Sequence, residues 1–285
     1  MQSLWMLIAA LLFSIMGICV KLASDQYTVA EIVTTRGIIG MLSIFILIRI
    51  KGGTLKTPLL RQHAQRGLIG TLSLWLGFYA LSVLPIATAT TLTYTSSIWL
   101  AVIIFISTWW RGEKRFEWPL AITILISFIG VALLLRPSPS INAQQTIGGI
   151  IALIAGFVAA LAYMQVRQLG KLGEPEYRVV FYFSAVCAIA GTLGNLIYAA
   201  GAIPLWHAHS AQGISLLIIL GVTATLAQMA LTRAYRLGNA LLTANLQYSG
   251  IVFSSIWGIL IFQDQLDWLG WIGIAVILIG GLLAT

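Results

Sequence analysis

Charged residues are scarce in this chain: Asp, Glu, Lys and Arg make up only 8% of its 285 residues. A soluble domain carries about 25% charged residues, because a protein folded in water has to cover its core with a wettable surface. Hydrophobic residues account for 59% of the chain, so such a surface is lacking. The shortage of charge excludes an ordinary soluble protein and predicts one that lies in a lipid bilayer.

Residue types that bind metals or act as nucleophiles are also few. The two cysteines, Cys19 and Cys187, lie in apolar runs, and the sequence contains no Cys-x-x-Cys pair. The three histidines, His63, His207 and His209, are expected in connections between apolar runs, the last two of them solvated. Because no metal-ligand spacing or nucleophile–base pair stands out, we predict no cofactor, no metal site and no catalytic site.

The net charge of +8 does not indicate a nucleic-acid partner. The basic residues lie in short connections between apolar runs, which is the pattern of membrane topology rather than of one basic soluble face. The expected partner of the surface is the lipid bilayer.

Apolar runs long enough to cross roughly 30 Å of hydrocarbon recur along the chain. Lipid offers no partner to an exposed backbone group, so we predict that these runs are helices. A β-barrel would show short alternating segments instead. Ten predicted spans, numbered in chain order, lie at 3–22, 29–49, 66–84, 88–110, 118–135, 147–168, 177–200, 212–234, 239–262 and 266–284.

Lysine and arginine are unevenly divided between the connections. Thirteen of the sixteen lie in the second, fourth, sixth and eighth connections, whereas the opposite connections hold Lys21 and Arg136. The remaining one, Arg36, lies inside span 2, and Arg66 is counted in the second connection. Positive residues stay on the cytoplasmic side. We therefore predict a multi-pass inner-membrane protein with both termini in the cytoplasm.

The second half of the sequence echoes the first. Segments 80–94 and 234–248 share Ala, Leu and Tyr at a constant offset, and 116–118 resembles 266–268. A repeat of five spans is odd, so its second copy enters the membrane from the opposite side. Inverted repeats of this kind enclose solute sites near the membrane midplane. The prediction is an all-α membrane protein with ten transmembrane helices, arranged as two inverted five-helix repeats around a central cavity.

Arg36 lies inside span 2, and Glu31 lies near the start of that span. A charge in hydrocarbon costs about 3 to 17 kcal/mol unless it is paired or hydrated. Arg36 is therefore either a clamp for a substrate carboxylate or phosphate, or a structural partner of Glu31 or of helix-end carbonyls. Glu31 is the acid placed nearest to a span. Transport is accordingly either facilitative or coupled through Glu31 as a solvated edge group.

Neutral polar and aromatic side chains are concentrated at the centres of spans 4 and 9, the repeat-equivalent segments. An amide inside a span needs several partners and rarely faces lipid, and a deep aromatic ring either packs in the bundle or stacks on a planar or cationic solute. The predicted substrate-binding residues are Arg36, Trp75, Tyr79, Tyr94, Trp99, Tyr163, Gln165, Gln228, Asn245, Gln247, Tyr248 and Trp257.

Several motifs resemble those of the EamA family of the drug/metabolite transporter superfamily, over essentially the whole chain. They are Thr-Thr-Arg-Gly at 34–37, Phe-Tyr-Ala-Leu-Ser-Val-Leu-Pro at 78–85, Arg-Gly-Glu-Lys at 111–114, Leu-Thr-Arg-Ala-Tyr-Arg-Leu-Gly at 231–238 and Gly-Gly-Leu-Leu at 280–283. One departure is Phe262-Gln263-Asp264, where the family often has a Gly-Glu pair; we expect it to affect a loop cap.

The resemblance implies two EamA-type repeats, residues 1–137 and 146–285, with spans 1, 3, 4, 6, 8 and 9 around the cavity. Spans 5 and 10 would be peripheral and would support a homodimer. The implied function is a secondary carrier for small organic metabolites or amino acids, including carboxylates or S-adenosylmethionine-like solutes, working by alternating access. The alternative is an integral-membrane enzyme acting on a lipid-linked substrate, which would need an acid/base pair, nucleophile or metal cluster. We expect no enzyme.

Overall fold

The computed structural model describes residues 2–110, 143–201, 206–265 and 267–283, with single positions at 112, 122, 123, 125, 126, 129, 130, 133 and 204. These residues form helices joined by short connections, and no strand occurs among them. A 3-10 turn at Gln2–Leu4 is followed, within the described residues, by α1 Trp5–Ala23, α2 Val29–Lys51, α3 Leu60–Val83, α4 Ile86–Thr93, α5 Ser96–Trp110, α6 Ala143–Lys171, α7 Glu176–Ala200, α8 Ala211–Leu237, α9 Ala240–Leu246, α10 Ser249–Phe262 and α11 Trp268–Leu283.

Eight helical stretches in the described part are long and apolar enough to cross a membrane. They are α1, α2, α3, α4 with α5, α6, α7, α8, and α9 with α10; α11 holds a shorter apolar stretch, Trp268–Gly280. The prediction of an all-helical membrane protein is confirmed. Most of predicted span 5, 118–135, lies outside the described residues, although the single positions described between 122 and 133 are helical.

Helix starts follow from local capping residues. Thr28 Oγ1 accepts a hydrogen bond from the Glu31 backbone N–H, while the Glu31 carboxylate accepts one from the Thr28 N–H at 2.8 Å. This capping box satisfies two donors that the first turn of α2 leaves free. The side chains of Ser210 and Asn239 cap α8 and α9. Pro85 precedes α4, where a missing N–H costs least.

Spans 4 and 9, predicted as continuous helices, are each interrupted in the structure. Tyr94 and Thr95 separate α4 from α5, and Gln247 and Tyr248 separate α9 from α10. The amide groups of Thr95 and Tyr248 bond the carbonyl three residues back, at 3.2 and 3.0 Å, instead of continuing the α-helical ladder. This tighter turn changes the direction of the chain inside the bundle. The prediction of unbroken helices is wrong at these two places.

The start of α3 corrects the placement of two residues. Polar residues at 61–66 depress the hydropathy, so the sequence interpretation leaves His63 and Arg66 in a connection. In the structure α3 begins at Leu60, and both side chains are buried inside the bundle. Arg66 therefore belongs to a membrane span and not to the cations of the second connection.

α2 and α7 pack against each other with their backbones in contact. A Cβ atom on Gly37 would lie 2.7 Å from the Ser184 carbonyl oxygen and 2.8 Å from the Ala188 Cα. On the other helix, a Cβ atom on Gly191 would lie 2.9 Å from the Ala30 carbonyl oxygen. Small residues permit such close approach of membrane helices. Around this pair, α1 packs on α8 and α3 packs on α6.

Large apolar side chains cover the outside of the bundle. Exposed examples are Leu42 of α2, Ile154 of α6, Ile189 of α7 and Ile218 of α8. In water a surface of this kind would be an aggregation liability, whereas in a bilayer it meets acyl chains. The distribution fits a multi-pass membrane protein.

Gln263 ends α10 in the left-handed conformation, with φ at 55°. The following Asp264 N–H bonds the Gly258 carbonyl at 3.0 Å and closes the cap. The departure from the EamA pattern at 262–264 therefore falls in a helix cap, as predicted.

Candidate functional site

A cavity lies at the centre of the bundle. Its volume is about 140 Å³, close to the roughly 150 Å³ that accommodates benzene in an engineered protein core. Its wall is formed by side chains of α1, α2, α3, α6, α7 and α8, together with α4, the residue that follows α4, and α10. The cavity is thus lined by both halves of the chain and has room for a small organic molecule.

One end of the cavity carries two guanidinium groups. Arg36 of α2 and Arg66 of α3 are 3% and 2% exposed. Their Cζ atoms lie 4.9 and 4.2 Å from the ring centroid of Phe183 on α7, within the range of a cation–π contact. Both cations therefore share one aromatic ring in the wall of the cavity.

Arg36 does not pair with Glu31, which was one structural alternative for it. Its Nη1 donates to the Cys187 sulfur at 3.5 Å, and its Nε has no hydrogen-bond partner among the described residues. Arg66 has no hydrogen-bond partner at Nε or Nη1 within the same residues. None of the described residues that line the cavity is an acid.

Glu31 lies at the start of α2, where its carboxylate is fully engaged. Besides the Thr28 N–H, it accepts the backbone N–H of His207 at 2.6 Å, and its Oε2 lies 2.8 Å from His207 Nδ1. It is 1% exposed. Two expectations are corrected: Glu31 is not a solvated edge group, and His207 binds Glu31 instead of being merely solvated. The connection before α8 folds over the start of α2, which brings the two residues together.

Tyr163 and Tyr94 belong to the polar wall of the cavity. The Tyr163 hydroxyl accepts a hydrogen bond from Gln247 Nε2 at 3.2 Å, and Gln247 itself is buried at the break between α9 and α10. Tyr94 lies at the break between α4 and α5, and its ring packs close to Gly250 of α10. Both breaks thus place a polar side chain at the centre of the bundle.

Gln228 of α8 also lines the cavity, and its Nε2 has no acceptor among the described residues. Across the cavity, Thr90 donates to the Ser254 hydroxyl at 3.1 Å and joins α4 to α10. This wall combines one free donor with a closed hydroxyl pair.

The remaining predicted residues lie outside the cavity wall. Trp75 packs against Gly194 of α7, and the Trp257 indole N–H donates to Ser14 Oγ at 3.0 Å. Trp99 is 40% exposed and meets the edge of Phe157. Tyr248 is buried in an apolar cluster with α11, whereas Tyr79, Gln165 and Asn245 are half-buried.

The cavity residues not predicted from the sequence include Arg66 and Phe183. Arg66 was assigned to a connection, although Pro58 is a typical helix-start signal and would have extended α3 far enough to include it. Phe183 is one of many apolar residues in its span, and no sequence signal distinguishes it.

A second histidine–carboxylate pair joins Glu174, just before α7, to His63 in the first turn of α3. Glu174 Oε2 lies 3.0 Å from His63 Nε2, and Glu174 also accepts hydrogen bonds from Thr57 at 2.7 Å and Arg178 at 3.1 Å. Burial raises the pKa of the Glu174 carboxyl, but the hydrogen bonds from Thr57, His63 and Arg178 outweigh it and hold the pKa below its usual range.

No group of three His, Cys, Asp or Glu residues with the geometry of a metal site occurs within the described part of the chain. The polar groups of the cavity are donors and hydroxyls, which suit binding of an organic solute better than covalent chemistry.

Comparison with known proteins identifies relatives over the whole length. The profile of the EamA-like transporter family matches residues 1–136 and 146–285. The pseudopaline exporter CntI of Pseudomonas aeruginosa is 31% identical over 260 residues, which cover 91% of this chain and 87% of that protein. A riboflavin transporter of Vibrio cholerae is 26% identical, with coverage of 97% and 90%.

A more distant relative is an S-adenosylmethionine uptake transporter of Rickettsia conorii, 24% identical over 75% of this chain and 68% of that protein. A solved crystal structure of a protein superposes with a TM-score of 0.77 at 18% sequence identity, covering 99% of this chain and 97% of the other. The likeness in structure extends over the fold as a whole.

Proposed function

The chain belongs to the EamA-like transporter family and is a membrane transporter, and we propose that it is a secondary carrier that moves a small organic solute through the central cavity by alternating access. The observation that carries the proposal is the cavity itself, which lies between helices from both halves of the chain and is lined by free hydrogen-bond donors. The family and its named members are transporters, which sets the lipid-acting enzyme aside.

The helix packing supports two inverted repeats, residues 1–137 and 146–285. If α6, α7 and α8 are the counterparts of α1, α2 and α3, a two-fold axis pairs α2 with α7 and exchanges the α1–α8 contact with the α6–α3 contact. All of these pairs pack in the structure. Ten spans in total, with the fifth between α5 and α6, complete the proposed architecture.

The interrupted helices support alternating access. The breaks after α4 and after α9 fall in segments that the sequence relates by its internal repeat, and transporters built from inverted repeats commonly form their sites at discontinuous helices. Polar residues at both breaks, Tyr94 and Gln247, contribute to or contact the cavity wall. Two similar halves meeting at such breaks supply two packings of comparable energy, one open to each side.

The named relatives carry different solutes, namely pseudopaline, riboflavin and S-adenosylmethionine. Family membership therefore indicates transport without fixing the substrate. We keep the proposed range as small organic metabolites or amino acids, including carboxylates and S-adenosylmethionine-like solutes. The proposed location is the inner membrane, with both termini in the cytoplasm.

A homodimer through spans 5 and 10 is also proposed. Among the described residues, Gly130 of span 5 approaches α11 so closely that a Cβ atom would lie 2.8 Å from the Gly273 carbonyl oxygen. At Gly130, span 5 therefore lies against α11, which supports a dimer surface formed jointly by the two spans. Cross-linking of cysteines placed on exposed Trp271 and Ile279 of α11 in membranes tests this surface.

Gly77 offers a direct test of the cavity. It lines the wall, and the nearest atom to a Cβ atom placed on it is Thr93 Cγ2 at 4.0 Å. A leucine at this position fits only by extending into the cavity, so Gly77→Leu is expected to stop solute uptake in proteoliposomes while the protein remains folded. Gly149→Leu is the matched control, because Gly149 lies outside the cavity and has Leu92 no nearer than 3.8 Å. Uptake that persists in Gly77→Leu would overturn the proposal.

A further inference from the structure

We propose that the transported solute is an amphipathic organic anion whose carboxylate or phosphate group binds between Arg36 and Arg66. The inference rests on the carrier function proposed above and names the chemical class of its substrate. It is carried by the charge of the cavity, by its unpartnered donors and by the polarity of its wall.

The charge at the arginine end is unbalanced. Two guanidinium Cζ atoms within 4.9 and 4.2 Å of the same ring centroid are at most about 9 Å apart. Buried like charges at this separation repel each other, because the low dielectric of the interior screens them poorly. No described cavity residue is an acid that would offset them. An anionic group between Arg36 and Arg66 would offset this charge, a carboxylate cancelling one positive charge and a phosphate monoester up to two.

The free hydrogen-bonding atoms at the cavity are predominantly donors. Arg36 Nε, Arg66 Nε, Arg66 Nη1 and Gln228 Nε2 are buried without a partner among the described residues. Buried donors normally find acceptors, since an unmet donor costs about 1 to 3 kcal/mol. A carboxylate or phosphate supplies several acceptor oxygens, two of which the planar guanidinium fork of arginine can bind at once. An ammonium group supplies none.

Much of the remaining wall is apolar, although Thr90, Thr93 and Ser254 also line it. Along α3 the wall runs from Arg66 past Leu74 and Phe78 to Leu81, a length of about 22 Å at 1.5 Å per residue. Phe13 and Met16 of α1 complete the apolar part. A ligand that extends along this wall from Arg66 toward Leu81 therefore combines an anionic end with an apolar body.

Stacking on Phe183 does not account for both cations. A desolvated cation–π contact contributes about 2 kcal/mol, but it leaves the N–H groups in the plane of the guanidinium unpaired. If the arginines were structural, replacing them would lower the melting temperature. If they form an anion site, removing an unpaired buried charge relieves its desolvation cost, and the ligand-free melting temperature is maintained or rises.

Phenylacetate, phenyl phosphate, 2-phenylethanol and phenethylamine are suitable probes, because they share one ring and differ in the charge of the attached group. Calorimetric titration of the detergent-solubilised full chain is expected to show binding of phenylacetate or phenyl phosphate, and the stronger of the two identifies the anionic group. The alcohol and the amine are expected not to bind.

The variants Arg36→Gln and Arg66→Gln should each raise the Kd of the bound anion by about tenfold or more, with ligand-free melting temperatures no lower than that of the parent. Arg61→Gln is the matched control, since it removes an exposed arginine from α3, the helix that carries Arg66. The Kd of the anion for this variant should stay within about twofold of the parental value. Arg36→Lys and Arg66→Lys keep the charge without the planar fork and serve if a Gln variant misfolds; weakened anion binding in them supports the proposal equally.

Stronger binding of phenethylamine or 2-phenylethanol, no binding of either anion, or unchanged anion affinity in the arginine variants would overturn the anion site. These outcomes are separable from failure of the carrier function. Solute uptake blocked by Gly77→Leu but unaffected by either arginine variant leaves the carrier standing without the anion site. Anion binding at the arginines together with uptake that is insensitive to Gly77→Leu would support the anion site and overturn the proposed transport through the cavity.

Discussion

The Gln247 side chain reaches from the break between α9 and α10 to α6, where its Nε2 donates a hydrogen bond to the Tyr163 hydroxyl at 3.2 Å. Tyr163 in turn stacks on Tyr235 of α8, with ring centroids 5.1 Å apart. These contacts hold the break between α9 and α10 against the cavity wall. A movement of α10 relative to α6 is therefore expected to change them.

Replacing Gln247 by Ala is expected to lower the uptake of the transported solute by about tenfold, the usual value of one hydrogen bond to a polar group inside a site. The protein should still fold, because the lost contact is a single neutral hydrogen bond. Uptake into proteoliposomes, normalised to the amount of folded protein, measures the effect.

Its neighbour Tyr248 provides the contrast. Tyr248 is buried among Ile251, Ile274 and Ile277 and lies outside the cavity wall. Tyr248→Phe should therefore leave uptake unchanged, while Tyr248→Ala should destabilise the protein by about 3 to 5 kcal/mol through the space it leaves. A loss of uptake in Tyr248→Phe with normal stability would place the Tyr248 hydroxyl in the transport path, contrary to the structure.

Glu31 is expected to act in stability and not in proton coupling. Its oxygens are occupied by Thr28 and His207, so Glu31→Gln should lower stability by about 1 to 3 kcal/mol and leave the pH dependence of uptake as it is. Melting curves and uptake between pH 5 and 8 test the two halves of the prediction. Asp25→Asn, which alters an exposed acid in the connection before α2, should change neither. A proton flux that accompanies solute and disappears in Glu31→Gln would contradict this assignment.

Gly37→Ala should destabilise the bundle by about 1 to 3 kcal/mol. The added methyl group would press on backbone atoms of Ser184 and Ala188, which cannot rotate away. Gly149→Ala should melt at the parental temperature or slightly above it, because its Cβ meets ordinary contact distances and alanine favours the helix. Equal melting temperatures for the two variants would show that α2 and α7 are not in close contact at Gly37.

Glu174 predicts a specific acid sensitivity. Because the folded-state pKa of this carboxyl lies below its ordinary value of 4.5, the ionised form stabilises the fold fully above about pH 4.5, and this contribution falls as the pH drops through the folded-state pKa. Glu174→Gln should therefore be less stable than the parent at pH 7, and the difference should shrink toward pH 3. Melting temperatures at stepped pH values give the profile. Glu176→Gln removes the partner of Arg236 but leaves the Glu174–His63 contact. The melting temperature of this variant should therefore fall toward low pH as it does in the parent.

The membrane class and most helix positions could be predicted because they depend on composition and on the length of apolar runs. The exceptions have local causes. The first turns of α3 are polar, so hydropathy places the start of the span at residue 66 and counts Arg66 among the cations of the second connection. The breaks at Tyr94 and Gln247 contain no proline, the residue that most often interrupts a helix, so the sequence does not mark them.

The site residues could be predicted in part, because polar side chains in apolar spans are visible in the sequence but their direction is not. Arg36, Tyr94, Tyr163 and Gln228 are polar groups in apolar surroundings, and the structure places all of them in the cavity wall. Trp99 carries the same kind of signal but lies on the exposed side of its helix. The direction in which a side chain points is fixed by helix packing, so polarity in a span identifies candidates without separating the inner face from the outer one.

The interruptions between α4 and α5 and between α9 and α10 have a mechanical consequence. Each divides a crossing into two short helices joined by two residues, so we expect one of these helices to be able to tilt while the other keeps its contacts. We expect a synthetic binder attached to the exposed end of one of these short helices to block opening of the cavity to one side of the membrane. Opening to the other side should remain possible.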